Sequence, residues 1–471
     1  MPINDSMFLL AERREQPMHV GGLQVFELPP DAPDDWLLSV YQAVIGSDPG
    51  QISPMFRRRP VRPVSSLGAW SWQTDRALDL EHHVRLSALP KPGRVRELLA
   101  LVSRLHGTLL DRHRPLWEAH LIEGLDGRRF GLYTKVHHSL LDGVSALRLL
   151  AKSLSTDASE RDMPMPFALE DKRSRPSGSG RSLAGMLGVP VSALRTTYEL
   201  AELGSKASTA AVRSFFDSNS HLPALAPRTI LNQPITGARR FAAQSWDFAR
   251  VRSVADATGT TINDVVLAMC SGALRAYLME LGELPDAPLV AMTPVSLRQE
   301  DSDIGGNAVG ALLCNLATDR PGAGERLAGV HESMDSGKAM LRDLSPTQAT
   351  VASALAMSPM LLGQIPGLRR VASPGYNVVI SNIPGPKETM YWNGARLQGS
   401  YPLSIPTDGQ ALNITVTSYA GNLEFGLTGC RQRVPHLQRL LTQLEDSLAE
   451  LEKEVGASTS GAAKRRRSGR R

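Results

Sequence analysis

The sequence predicts a mixed α/β protein built as two lobes, and three observations carry that prediction. The chain has 471 residues, 42% of them hydrophobic, which is enough for two ordinary domains or one large two-lobed unit with a sizeable core. Short segments of period-two alternation and longer segments of helical spacing follow one another in both halves. A composition shift from Asp157 to Gly180, with Pro164, Pro166, Pro176 and a Ser-Gly-Ser-Gly run, reads as a connection between lobes. The expected layout is an N-terminal lobe over 1–156, a linker with crossing helices over 157–237, a C-terminal lobe over 238–455 and a basic disordered tail over 456–471.

In chain order, Asp5-Ser6 precede Met7 to Glu12 and read as a helix cap with its first turns. Val20 to Leu28 reads as a strand. Glu97 to Leu110 sets Leu98, Leu101, Val102, Leu105 and Leu109 at helical spacing. Phe130 to Val136 alternates, so it reads as a strand, and Leu147, Leu150 and Leu154 give a helix whose natural N-cap is Asp142. Ser182 to Phe216 has helical composition interrupted by Pro190. In the second half, Thr261 to Leu278 reads as an apolar helix, and Leu289 to Met292 and Val378 to Ile380 as short buried strands. Leu412 to Tyr419 and Leu423 to Leu427 flank Ala420-Gly421-Asn422 as a hairpin. A closing helix from His436 to Val455 puts Leu437, Leu440, Leu441, Leu444, Leu448 and Leu451 on one face.

Charge and cysteine usage exclude several functions. Net charge is +5, but Lys464 to Arg471 hold six cations, so the rest of the chain is near neutral and offers no basic face for nucleic acid. Cys270, Cys314 and Cys430 stand far apart, which argues against a disulfide framework or zinc ribbon and for a reducing compartment. Leu344 to Leu368 is uncharged, yet its prolines at 346, 359 and 366 make it a poor membrane span. A cytoplasmic protein is expected.

The residues with the clearest chemistry are His137-His138-Ser139-Leu140-Leu141-Asp142-Gly143. Continued alternation puts His138 on the face of Val136 and Thr134, and His137 on that of Lys135 and Tyr133. Two adjacent imidazoles therefore serve opposite faces, and only one can react. Asp142 can hold the turn by accepting backbone N–H groups, and Gly143 permits a close approach of the chain. A second pair, His82-His83, lacks the Asp-Gly and reads as surface. Zinc needs three or four ligands and no further Cys/His cluster appears, so no metal is expected. A serine hydrolase needs GxSxG, which Gly143-Val144-Ser145-Ala146-Leu147 fails to complete, and there is no P-loop.

The HHxxxDG pattern resembles the active-site motif of CoA-dependent acyltransferases of the chloramphenicol acetyltransferase type. Further motifs narrow the resemblance to the bacterial wax ester synthase/diacylglycerol acyltransferase family, over roughly residues 1 to 455. They are Asp5-Ser6-Met7-Phe8, Met18-His19-Val20-Gly21-Gly22, Pro115-Leu116-Trp117, Asn263-Asp264 and Ser381-Asn382-Ile383-Pro384-Gly385-Pro386. The resemblance implies a two-lobed chloramphenicol-acetyltransferase-like fold with mixed sheets and an active-site channel between the lobes. It implies that His138 is the general base, with His137 and Asp142 orienting the site, and that Asp142 pairs with a distant arginine, for which Arg298 is the candidate. Asn263, Asp264 and Asn307 are read as scaffolding, and Trp117 as core rather than a substrate wall.

The implied reaction moves a long-chain acyl group from acyl-CoA, as co-substrate with no bound cofactor, to diacylglycerol, giving triacylglycerol. Long-chain alcohols giving wax esters are the second acceptor class. A related transferase with another alcohol or amine acceptor, and a non-catalytic lipid-binding paralogue, are the alternatives. The basic tail and the lipid substrates suggest a peripheral habit on the inner face of the membrane or on a lipid droplet.

Overall fold

The computed structural model describes residues 1, 3–63, 69–169, 226–296, 309–343 and 375–468. Arg298, Asn307, the 182–216 segment and the uncharged 344–368 stretch lie outside the described residues.

The first half contains α1 (Ile3–Ala11), β1 (His19–Glu27), α2 (Trp36–Ile45), β2 (Arg58–Val61), β3 (Ser71–Thr74) and α3 (Leu80–His83). It continues with β4 (Val84–Ala88), α4 (Val95–His106), β5 (Trp117–Leu125), β6 (Arg129–His137) and α5 (Gly143–Lys152). The second half holds β7 (Arg239–Asp247), α6 (Phe248–Thr258), α7 (Ile262–Glu280), β8 (Val290–Ser296), β9 (Val309–Asn315) and α8 (Ala323–Asp343). It closes with β10 (Val378–Ile383), β11 (Tyr391–Trp392), β12 (Ala395–Leu403), β13 (Leu412–Tyr419), β14 (Asn422–Cys430) and α9 (Arg439–Ser468).

Two six-stranded mixed sheets organise the chain. The first has the order β11-β12-β1-β6-β5-β4 and the second β7-β14-β13-β10-β8-β9. In the first, β1 runs antiparallel to β6, with His19 opposite His137, and antiparallel to β12, with Gly21 opposite Leu403. In the second, β10 lies parallel to both β8 and β13, and the β13–β14 hairpin turns at the expected Ala420-Gly421. The expected C-terminal lobe over 238–455 is therefore not a unit in sequence: β11 and β12 leave it to complete the N-terminal sheet. Hydrogen-bonding the open edge of β1 is the physical reason, since an unpaired edge leaves a row of backbone groups without partners.

The two sheets meet where β12 packs on β13 and β14. A Cβ at Gly426 would stand 1.9 Å from the Pro402 carbonyl, so only glycine lets β14 approach β12 this closely. On the N-terminal sheet, a Cβ at Gly22 would stand 2.5 Å from Leu150 Cδ1, and its absence lets α5 settle on β1.

Helix α7 is apolar on all sides, as suits a core helix, and carries 13 buried residues. It is long and apolar enough to cross a membrane by composition, but here α6, α8 and α9 enclose it. Thr261, read as its first residue, is its N-cap. Leu440, Leu444, Leu448 and Leu451 of the closing helix, and Leu437 in the turn before it, are buried against the same core. That helix continues to Ser468, so the stretch read as a disordered tail is largely helical. Its Ala, Lys and Arg residues are strong helix formers.

Candidate active site

The site starts from a turn. Strand β6 ends at His137, whose backbone N–H donates to the Leu116 carbonyl at 3.0 Å, and the His138 N–H donates to the Met18 carbonyl at 2.8 Å. The two histidines are thus held by neighbouring strands on either side. Asp142 then caps α5: its Oδ1 accepts from the Ser145 N–H at 2.7 Å. The strand–turn–helix predicted from the spacing is present. Gly143 differs from expectation, because a Cβ there would meet only Val20 Cγ1 at 3.9 Å, an ordinary contact. No close approach of this chain demands glycine at that position; the space beside it is open.

The hydrogen bonds tell the two imidazoles apart. The Ser139 backbone N–H donates to His137 Nδ1 at 3.1 Å, and the Ser139 hydroxyl lies 2.7 Å away. A backbone N–H can only donate, so Nδ1 is an acceptor and the neutral ring carries its proton on Nε2. That nitrogen faces Glu12 Oε1 at 3.3 Å, within ion-pair range though off the hydrogen-bond axis. Glu12 is itself clamped: Oε1 accepts the Met18 N–H at 3.1 Å, and Oε2 accepts Arg112 Nε at 3.1 Å and Nη2 at 3.0 Å. Burial favours the neutral acid, but His137, the Met18 amide and Arg112 outweigh it and hold the Glu12 carboxyl below its usual range. His137, fully buried, is a positioned strut.

His138 is half-buried, and its ring makes no hydrogen bond to another described residue. Phe8 stacks on it, ring centroids 4.1 Å apart at 23°. Nδ1 is buried, and the nearby carbonyl of His138 itself favours a proton there. That leaves Nε2 as the basic nitrogen. Burial lowers the His138 pKa to about 4; the Asp142 charge and its own carbonyl pull it back up, and His137 works against them. The ring is neutral at pH 7, the state a general base needs.

Sequence reasoning missed α1 as part of the site. Phe8 of α1 meets His138 and Glu12, the residue just past its last turn, meets His137, so a short helix and its end touch both motif histidines. The helix starts at Ile3, so Asp5 and Ser6, expected to cap it, lie within its first turns instead; the i, i+4 spacing of an aromatic and a carboxylate was the available signal.

The other predicted residues divide cleanly. Pro115, Leu116 and Trp117 brace the motif: the Trp117 N–H closes a turn on the Pro115 carbonyl, and its indole N–H donates to the Phe56 carbonyl at 2.8 Å. Trp117 is core, as expected, stacked between Phe167 and His83. The surface reading of His82-His83 is corrected for His83, which is 1% exposed with Nδ1 2.8 Å from the Trp117 carbonyl. Asp264 forms a capping box with Thr261 and pairs with His331 at 2.8 Å, in the second lobe, consistent with scaffolding. Asn263 is half-buried beside it. No described contact brings either to His138. The Pro384-Gly385-Pro386 turn is pinned where the Gly385 N–H donates to Ser418 Oγ at 3.0 Å.

Between the lobes, alongside α5, lies a cavity of about 160 Å³ walled by both sheets. Gln24 and Ser400 come from the first sheet, Thr417 and Tyr419 from the second, and Pro384 from the turn after β10. Among the described residues there is no group of three His, Cys, Asp or Glu side chains able to hold a metal.

A strand-borne HHxxxDG turn beside a cleft between two mixed sheets is the arrangement of a two-lobed acyltransferase, and solved structures share the fold. Condensation domains of peptide synthetases, including the starter condensation domain of rhizomide synthetase, align over 96% of the chain with a TM-score of 0.52 at 14% identity, which shows the fold alone. Within that class the chain belongs to the wax ester synthase/diacylglycerol acyltransferase family. The family's catalytic-domain model matches residues 1–266 and its C-terminal-domain model residues 305–452. A probable diacylglycerol O-acyltransferase of Mycobacterium tuberculosis is 48% identical, covering 96% of this chain and 98% of its own. The O-acyltransferase WSD of Acinetobacter baylyi is 43% identical, with 94% and 95% covered. The solved wax ester synthase/diacylglycerol acyltransferase of Marinobacter aquaeolei superposes with a TM-score of 0.78 at 44% identity, covering 96% and 98%.

Proposed function

We propose that the protein transfers a long-chain acyl group from acyl-CoA to the free hydroxyl of diacylglycerol, forming triacylglycerol, and to long-chain alcohols, forming wax esters. The observation that carries this reading is the asymmetry of the motif: His137 is fully buried, with Nδ1 accepting from the Ser139 N–H and Nε2 set against Glu12, while the half-buried His138 ring makes no hydrogen bond to another described residue. The names of relatives that match nearly the whole chain supply the substrate class.

His138 Nε2 takes the proton of the acceptor hydroxyl as its oxygen attacks the thioester carbonyl. The tetrahedral oxyanion collapses, the C–S bond breaks, and the proton on His138 passes to the departing thiolate. The products are the ester and CoA, and the base is regenerated. The low pKa keeps His138 deprotonated at neutral pH, and the Asp142 charge stabilises the imidazolium that forms. Asp142 acts from the helix cap.

Labelled palmitoyl-CoA with dioleoylglycerol or hexadecanol, resolved by thin-layer chromatography, tests the reading directly. Replacing His138 by Ala should cost roughly 10² to 10⁴ in kcat. Activity retained by a folded His138→Ala variant would sink the assignment of the base.

We further propose a peripheral membrane habit on the inner face of the cell membrane or on a lipid droplet, supported by six cations over Lys464 to Arg471 and by the lipid nature of both substrates. Each cation near an anionic surface adds about 1 kcal/mol. Deleting residues 464–471 should weaken binding to phosphatidylserine vesicles at low salt; unchanged binding overturns the tail's role.

A further inference from the structure

Helix α1 covers the catalytic turn with one face and leaves the other bare. Phe8 stacks on His138, and Leu9 is buried beside Leu110 and Leu116. Met7 and Leu10, one turn apart on the opposite side, are 43% and 56% exposed. The ribbon β2–β3 flanks the helix: Trp70 and Trp72 are half-buried against the Leu9 cluster, as is Leu140 of the motif. Single apolar side chains on a surface are ordinary, so exposure alone assigns nothing. Charge is the second observation. Residues 49–74 carry four cations, Arg57, Arg58, Arg59 and Arg62, and no acid, and Arg13 and Arg14 directly follow α1. Arg59 donates to the neutral His113 carbonyl and the Gln73 side-chain amide oxygen, and Arg62 lies over the Trp70 ring, 4.2 Å from its centroid. Asp111, the acid in the loop packed on α1, already faces His113 and Arg114, and Glu15 is the acid that follows Arg14.

A body that is near neutral overall therefore gathers cations around Met7, Leu10 and two tryptophans. Nucleic acid would use the charge and leave the apolar side chains in water. An anionic bilayer takes both, with Arg at the headgroups, Trp at the boundary and Met and Leu beneath it. Distance joins this face to the chemistry. A helix with its side chains is about 10 Å across, so Met7 and Leu10 lie about that far from the His138 ring that Phe8 covers. An interfacial helix sinks its apolar face by about 5–10 Å. We infer that α1 and the β2–β3 ribbon form the face by which the protein docks on an anionic lipid bilayer, with Met7 and Leu10 inserted and the catalytic turn held one helix diameter from the lipid that dissolves the acceptor. The inference rests on the lipid-acceptor reading above, and it adds to the C-terminal tail a membrane contact beside the base itself.

The test places an environment-sensitive nitrobenzoxadiazole dye on the full chain at one of two positions. One is Leu10→Cys. The control is Met279→Cys, 56% exposed near the end of α7 in the other lobe. The three native cysteines are buried, which leaves the dye to the new thiol. With vesicles of phosphatidylcholine and phosphatidylserine, dye at residue 10 should shift to the blue and be quenched by brominated lipid, while dye at residue 279 should not change. In sedimentation with the same vesicles, unlabelled Leu10→Glu, its tail intact, should bind roughly tenfold more weakly or worse. Arg13→Glu with Arg14→Glu should weaken binding at low salt and lose that effect at high salt. Thermal melts show whether these variants are folded; if Leu10→Glu is not, the two dye positions decide. No shift at residue 10, an equal shift at residue 279, or undiminished binding by folded Leu10→Glu overturns the inference. So does a blue shift that grows with protein concentration in the absence of vesicles, which would assign the face to a second copy of the chain. Vesicle binding is read without acyl-CoA, so a protein that transfers to neither acceptor fails the function reading alone and leaves this test standing.

Discussion

At the scale of single residues, the site turns on how differently two adjacent imidazoles are held. His138 is kept neutral chiefly by burial, and the ring stacked on it is Phe8. The acid limb of the initial-rate profile should therefore fall near pH 4 rather than near the ordinary histidine value of about 6.5. Phe8→Ala admits water to the ring and should move that limb upward toward 6.5; an unmoved limb would show that the stacked ring does not set the pKa. The motif itself was legible because HHxxxDG needs only a strand, a tight turn and a cap, all of which are local. Ser139 lay inside the motif, but its task could not be read, because a backbone N–H aimed at Nδ1 has no signature in residue type. Glu12 and Arg112 were invisible for a different reason. Their pairing spans 100 residues, and each alone looks like surface charge.

Among elements, α5 links the motif to the cleft, and Asp142 serves it twice, as N-cap and as the charge nearest the base. The two roles separate by substitution. Asp142→Ala should cost about 1 kcal/mol of stability through the lost cap. Asp142→Asn keeps a capping oxygen and should recover most of that, while still removing the charge that raises the His138 pKa. Thermal melts of the two variants check this, and equal losses would deny the cap. The helices and the strands with regular alternation were readable: β6, the β13–β14 hairpin and the leucine face of α9 stand where periodicity places them. Strand β5 was not, because Glu118 and His120 are buried within it. Glu118 pairs there with Lys135 at 3.1 Å, which breaks the expected alternation of apolar and polar residues. β12 was hidden similarly, since Gln398, Ser400 and Pro402 dilute its pattern and its partner lies in the other half of the chain.

For the whole molecule, the buried histidines set a direction for acid stability. Burial lowers the pKa of His83 to about 4, His106 to about 3 and His138 to about 4. The unfolded chain takes up these protons near pH 6.5, so stability is complete above that value and is lost as pH falls toward the folded values. Each pH unit in that window costs about 1.4 kcal/mol per histidine that stays neutral. Burial also raises the carboxyls of Glu424 to about 7 and Asp5 to about 6, which works the other way over the same window, but the three histidines outweigh these two groups. Melting temperature should fall from pH 7 to pH 5, and a flat profile over that range would contradict the burial. The two-lobed class was readable from composition and element order, but the lobe boundary was not, because strand exchange leaves no mark on local pattern. That exchange also fixes the order of events during synthesis. The ribosome delivers β1, β4, β5 and β6 early, yet β12, the strand that covers β1, emerges only after about 250 further residues have been made. For most of its translation the nascent protein therefore carries an open, adhesive β1 edge, and quality control of this enzyme is decided late, by whether β12 arrives before another chain does.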